Sequence, residues 1–291
     1  MFYWILWALL VSLWDITYKK SILVSQKKLS EDWYQFMSWV VSLVVTSLVY
    51  LLAVYFSFQH LPDIFKVKTI LIFLIIWIIS VVGDYFFAYA FKNEKISVLT
   101  PYEESETIFT VILGFLFFSW VSTSSFIFVL LAWFILFLWS IDYKNFKVNK
   151  YSSVVTIWSF LFAIKSNLIA YLLVDIAFTP LDSIFYSSIF AFLIALIIIY
   201  LKKELFRTFK KSSNKIFLFI STENIIRFLV WYVYAYLIND IWIIRTTLLW
   251  LLTVFSNMTF AYFVFKEIPV KKDYIVAFLV ITCVVLGSIN Y

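Results

Sequence analysis

Apolar residues run along this chain in blocks of about twenty, the length a helix needs to cross the hydrocarbon core of a bilayer. Reading each block as a helix predicts ten spans, at 2–24, 34–57, 68–91, 96–119, 123–142, 152–174, 179–201, 215–238, 240–265 and 272–290. The connections are short, about ten to fourteen residues at the longest, so no soluble domain is expected. The spans lack the ten-residue, strictly alternating pattern of an outer-membrane barrel. Phe2 to Trp14 has no positive segment before it and no small-residue cleavage site after it, and reads as the first membrane helix rather than a signal peptide. The expected fold is an all-α polytopic membrane protein.

A polar break from Asp142 to Lys150 divides the ten transmembrane helices into five and five, residues 1–142 and 151–291 with a linker at 143–150. Shifting the first half by 147 residues brings Tyr85, Ala88, Tyr89, Ile96 and Thr100 onto Tyr232, Ala235, Tyr236, Ile243 and Thr247, and the polar hinge Lys92-Asn93 onto Asn239-Asp240. Five is odd, so two such halves lie in opposite orientations, as in the inverted repeats of secondary transporters. Eighteen Lys and Arg residues fall in loops following odd-numbered spans and only Lys66 and Lys68 on the other side. That asymmetry puts the odd loops in the cytoplasm and both termini outside.

Composition supports the membrane reading: 64% of residues are hydrophobic and 14% charged, with a mean hydropathy of +0.98, far from soluble usage. One Cys (Cys283) and one His (His60) exclude an internal disulfide and a Cys/His metal or haem site, so no cofactor is expected. Three glycines leave no means of writing a P-loop or dinucleotide fingerprint, which excludes an ATP-driven motor. The net charge of +6 resides in inter-helix lysines and implies anchoring rather than nucleic-acid binding. With so little glycine, close helix packing must rest on Ser, Thr and Ala or on interdigitation of the 34 Phe, 19 Tyr and 13 Trp.

Ionisable side chains inside a membrane helix are costly and face protein or water, which makes the few present the candidate site. The fourth span opens with Glu103, Glu104 and Glu106 after Pro101. On a helix Glu103, Glu106, Thr110 and Gly114 share one face and Glu104 an adjoining one. Either they line a substrate or proton site, or the helix starts later and they suit its N-terminus at the membrane surface. In the eighth span Glu223, Asn224, Arg227, Trp231 and Tyr234 form a stripe, a cavity wall with stacking faces or a self-contained Glu223–Arg227 pair. Lys165 is mid-span, too central to snorkel, and pairing with a glutamate is expected. Asp15 can reach Lys19 one turn on; Asp84 follows Gly83; Arg245 stands near the start of the ninth span, followed by Thr246, Thr253 and Asn257. Asp15, Asp84, Glu104, Arg245 and Asn257 are possible coupling or cavity residues. Six deep acids against three bases imply an acidic cavity in which closely spaced carboxylates share protons.

The two five-helix halves, the hinge between spans three and four, and the final pair Phe260–Glu267 and Ile275–Asn290 resemble the ten-helix, EamA-like transporters of the drug/metabolite superfamily. The turn Phe265-Lys266-Glu267-Ile268-Pro269 matches that family's short ending with a glutamate; Phe118-Ser119-Trp120 in the first half departs from it, as do the low glycine and alanine content and the outward termini. The resemblance implies a transporter, not an enzyme. The expected function is a secondary transporter, an exporter or exchanger, of a small polar amine-containing or zwitterionic metabolite, working by alternating access in the cell membrane as monomer or homodimer. Proton exchange through Glu103 and Glu106 would drive it, and a substrate carboxylate would meet Lys165 or Arg227. Alternatives are a flippase or membrane enzyme acting on a lipid-linked head group, and a sensor or assembly subunit with a filled interior.

Overall fold

A computed structural model describes residues 2–25, 31–56, 66–94, 96–103, 105–118, 123–140, 150–201, 214–250 and 252–266, with isolated positions between Tyr274 and Leu286. Within them the chain is helical and carries no strand: α1 (Phe2–Ser25), α2 (Glu31–Tyr55), α3 (Val67–Asn93), α4 (Ile96–Glu103), α5 (Ser105–Phe118), α6 (Thr123–Ser140), α7 (Lys150–Val174), α8 (Pro180–Leu201), α9 (Asn214–Trp250) and α10 (Thr253–Phe265). Five stretches are long and apolar enough to cross a membrane: Trp33–Tyr55, Val67–Asn93, Ser153–Val174, Pro180–Leu201 and Ile216–Ile238. Most of the last predicted span, 272–290, Glu104 and the linker 143–149 lie outside the described residues.

Polarity is arranged inside out relative to a soluble protein. Leu51, Phe117, Leu218 and Phe263 are each more than three-fifths exposed, whereas Asp15, Glu103, Glu106, Lys165, Glu223 and Arg227 are all buried. Such a surface suits lipid, and it forces each polar group to find its partner within the bundle. These features mark a multi-pass membrane protein.

One boundary differs from the sequence expectation. The predicted hinge at Asn239-Asp240 does not interrupt the helix: α9 runs 37 residues to Trp250, so Arg245 belongs to its final turns rather than to the start of a ninth span. Polar residues alone do not break a helix; the stretch contains neither proline nor glycine, and its backbone hydrogen bonds continue. The matching point in the first half does end a helix, at Asn93, where Glu94 turns extended and its N–H bonds Ala90 O.

Elsewhere local chemistry sets the ends. Between α7 and α8, Ala177 takes a left-handed conformation (φ 61°). The Thr179 backbone N–H and hydroxyl both donate to Asp182 Oδ2, at 3.0 and 2.7 Å, and the Asp182 N–H returns a bond to Thr179 Oγ1, a reciprocal cap on α8. Tyr50 OH donates to the other Asp182 oxygen at 2.8 Å, tying α2 to that cap. The Ser159 hydroxyl of α7 reaches the carbonyls of Tyr102 and Glu103 at 2.9 and 3.1 Å, satisfying acceptors that the end of α4 leaves open.

The helices pack in pairs across the two halves: α1 lies on α9 and α3 on α7; α2 lies on α8; α2 also meets α9, and α8 meets α3; α1 lies on α10, and α7 on α4 and α5. Aromatic side chains fill the interior. Trp14 stacks on Phe87 (ring centroids 5.9 Å apart), Phe87 on Trp158 (4.4 Å), Trp158 leans on Phe162 (4.5 Å), Phe162 on Trp231 (6.0 Å), Trp231 on Tyr234 (5.3 Å), and Tyr234 on Trp7 (6.1 Å). The series leaves α1, crosses α3, α7 and α9, and comes back to α1.

Gly83 makes the α3–α7 approach possible. A methyl group there would sit 2.6 Å from Phe162 Cε2 and 3.2 Å from Trp158 Cδ1. Phe162 is a flat ring held between Trp158 and Trp231, with little freedom to yield. Gly83→Ala is therefore expected to lower stability by about 1–3 kcal/mol through overpacking, read as a drop in thermal midpoint of the detergent-purified protein. Combining it with Phe162→Leu should recover part of the loss; an unchanged midpoint in the single variant would contradict the close approach.

Candidate functional site

At the centre of the bundle the sequence supplies two cations, and the structure treats them differently. Arg227 of α9 donates from Nη2 to Asp84 Oδ2 of α3 at 2.7 Å, both side chains being about nineteen-twentieths buried. Its guanidinium lies 4.6 Å from the ring centre of Trp39 on α2 and 6.0 Å from that of Trp14 on α1. The backbone carbonyl of Asp84 accepts from Gln35 Nε2 at 3.1 Å and Tyr18 OH at 3.4 Å. One ion pair thus joins four helices. The local Glu223–Arg227 pair weighed from spacing is not formed; Glu223 accepts instead from Trp14 Nε1 at 3.0 Å and Asn224 Nδ2 at 2.8 Å, because its own helix face points it toward α1.

Lys165 makes no ion pair among the described residues. Its Nζ rests 3.9 Å from the centre of the Trp231 ring and 4.4 Å from that of Phe162, where the negative faces of two π-systems stand in for a counter-ion. The expected pairing with a glutamate is replaced by this aromatic seat. Glu106 instead accepts a bond from the hydroxyl of the adjoining residue, Ser166, at 2.9 Å, and its Oε2 has no hydrogen-bond partner.

Above the aromatic seat opens a cavity of about 540 Å³, counting the space at its mouth, between α2, α3, α7, α8 and α9. Trp39, Ile169, Phe228 and Trp231 form its apolar walls, Lys165 and Arg227 its cationic end. Six hydroxyls also line it: Ser42, Thr46, Ser80, Ser183, Ser187 and Ser188. Several are committed as donors to their own helix backbone: Thr46 to Ser42 O at 2.9 Å, Ser80 to Ile76 O at 2.8 Å, Ser183 to Pro180 O at 2.9 Å and Ser187 to Ser183 O at 2.5 Å. A hydroxyl whose proton is used in this way offers the cavity acceptor lone pairs only. The lining thus combines cationic donors with hydroxyl acceptors.

Of the residues singled out from sequence, Lys165, Arg227 and Trp231 line this cavity. Asp84 and Tyr234 support it from behind, through the ion pair and the Trp231 contact. Glu103 and Glu106 are buried on α4 and α5 and Glu223 on α9, outside the lining. Asp15 does not pair with Lys19: its Oδ2 accepts from Asn257 Nδ2 at 2.8 Å, and Lys19 donates to Glu94 O at 2.8 Å. The side chain of Arg245, like Glu104, lies outside the described residues. The hydroxyl wall was passed over in the sequence, although Ser38, Ser42 and Thr46 on α2 and Ser183 and Ser187 on α8 recur every four residues and so share a face.

Removing one member of the buried ion pair strands the other charge. Arg227→Met and Asp84→Asn are each expected to cost about 3–5 kcal/mol, whereas Arg227→Met with Asp84→Leu should be closer to wild type in thermal unfolding. A double variant that loses the sum of the two single losses would show that the pair is not coupled.

A search of family models returned no match, and no curated protein matched at a significant level. Among solved structures, one described only as a crystal structure of a protein is similar over 98% of this chain and 99% of its own, with a TM-score of 0.65 and 11% sequence identity. At that identity the likeness concerns the fold alone: the whole chain adopts an architecture already seen in a crystal.

Proposed function

We propose that the protein is a secondary transporter of the drug/metabolite type, carrying a small zwitterionic or hydroxylated carboxylate through the central cavity by alternating access. The observation that supports this best is the chamber itself, which is built from helices of both predicted halves and lined by Lys165 and Arg227 together with six hydroxyls. A substrate carboxylate would bind Lys165, and an ammonium or hydroxyl group would donate to the Ser and Thr oxygens. Trp231 and Trp39 would cover its apolar part.

Support for two inverted halves comes from the extensive helix contacts α1 with α9, α3 with α7, α2 with α8, α2 with α9 and α3 with α8, which are preserved on exchanging α1 with α7, α2 with α8 and α3 with α9. In a ten-span arrangement the two units would rock about the α2–α8 contact and expose the chamber to either side. The acids of α4 and α5, Glu103 and Glu106, would exchange protons during that cycle, and the loop charges favour termini on the extracytoplasmic side of the cell membrane. No nucleic acid, cofactor or catalytic step enters this reading.

Reconstituted liposomes with an imposed pH gradient test it. With a panel of labelled amino and hydroxy acids, Lys165→Met is expected to reduce uptake of the transported compound by about ten- to a hundredfold, the worth of one charge-assisted hydrogen bond. Glu106→Gln should leave exchange intact while abolishing the response to the gradient. Binding of a polyprenyl phosphate with no uptake of any soluble acid would support the lipid head-group reading in its place.

A further inference from the structure

The crossing of α1 and α10 holds a polar pair that the cavity does not use. Asp15 is fully buried and Asn257 nearly so. One bond joins them, from Asn257 Nδ2 to Asp15 Oδ2 at 2.8 Å, and on each side chain the second oxygen, Asp15 Oδ1 and Asn257 Oδ1, has no hydrogen-bond partner. Two orphaned acceptors on side chains already bonded to each other are an unfavourable arrangement inside a membrane, where each unsatisfied group costs several kcal/mol. The nearby hydroxyls are engaged elsewhere: Ser12 and Ser256 bond each other at 2.5 Å, and Ser256 also bonds the carbonyls of Ala8 and Thr253.

Among the described residues no cation pairs with the carboxylate. The elements packed on α1 are α3, α9 and α10. Their buried charged groups are Asp84 of α3 with Glu223 and Arg227 of α9; Arg227 is engaged by Asp84 and Glu223 by Trp14 and Asn224. Tyr234 of α9 is stacked on Trp7. On α1 itself Lys19 is turned to Glu94 O and Tyr18 to Asp84 O. Glu103, also buried, is carried by α4, which packs on α10, and adds negative charge rather than a counter-charge. Among the described residues Asp15 therefore has one neutral partner and no counter-charge.

We infer that Asp15 and Asn257 form a proton-binding site, in which Asp15 Oδ1 carries a proton donated to Asn257 Oδ1. A carboxylic acid and a primary amide are complementary: the acid O–H faces the amide carbonyl and the amide N–H faces the acid carbonyl. One proton supplies the donor that both orphaned oxygens lack and removes a bare charge from the bilayer interior. Ionisation would leave two acceptor oxygens facing each other across the α1–α10 crossing and favour their separation. The pseudo-equivalent crossing, α7 with α5, carries an acid in the same half-satisfied state, Glu106, but its partner Ser166 offers no second acceptor. The bound proton stands on these contacts alone; its use as a coupling proton rests on the transport reading.

Infrared difference spectra of the full chain in lipid nanodiscs test this without a substrate, so failure here leaves the transport reading untouched. At neutral pH a protonated-carboxyl C=O band is expected that moves on labelling with isotopic aspartate, vanishes in Asp15→Asn and shifts to higher frequency in Asn257→Leu. Asp15→Asn should also match or exceed the wild-type thermal midpoint and abolish the fall in midpoint with rising pH, since an amide pair reproduces the protonated geometry. A wild-type spectrum with no aspartate-derived band overturns the proposal, and it can be read even if the variants fail to fold. A sodium-dependent rise in midpoint that is lost in Asp15→Asn would also overturn it, showing that a metal cation occupies the two oxygens.

Discussion

The buried contact between Asp84 and Arg227 is the interaction around which the interior is arranged. An ion pair in a low-dielectric slab repays its desolvation only when the remaining lone pairs and N–H groups are also met. Here Trp39 and Trp14 lie against the guanidinium and Gln35 and Tyr18 bond the carbonyl of the same aspartate, while Arg227 Nη1 has the ring faces alone and no hydrogen-bond partner. Four helices are thereby fixed relative to one another at a single level in the membrane. The spacing of α3 and α9 also sets where the cavity can be, because Arg227 forms part of its cationic end.

Aromatic packing does in this chain what small residues do in many membrane bundles. With three glycines in the sequence, only one close approach, at Gly83, is visible among the described residues, and it presses α3 directly against Phe162 and Trp158. The same rings carry Lys165. Seated on these π-faces, Lys165 forms no ion pair with a carboxylate among the described residues. The cost of holding the charge is met by dispersion and quadrupole attraction rather than by a second charge.

The helical class, the apolar spans and the inward charges could all be read from the sequence, because bilayer thickness imposes a length and a burial rule that local composition reveals. What the charges do with one another could not. Spacing suggested Glu223 with Arg227 and Asp15 with Lys19, both neighbours on one helix, but each acid is turned to a residue more than two hundred positions away, Trp14 in one case and Asn257 in the other. Such choices depend on which helix faces which, and local periodicity carries no information about that. The hydroxyl wall escaped notice for a related reason: Ser and Thr are common in apolar helices, and only convergence from α2, α3 and α8 makes them a surface.

The uninterrupted course of α9 has a mechanical consequence. At about 1.5 Å per residue, its 37 residues form a rod of about 55 Å, well beyond the roughly 30 Å of hydrocarbon. Such a rod must lean steeply or project into water. Arg227 and Trp231 stand near its middle, with the Trp250 end about thirty ångströms further along. Because the helix is unbroken between them, a tilt of about five degrees at the chamber would displace that far end by about 2–3 Å. The helix is a lever whose fulcrum is the ion pair.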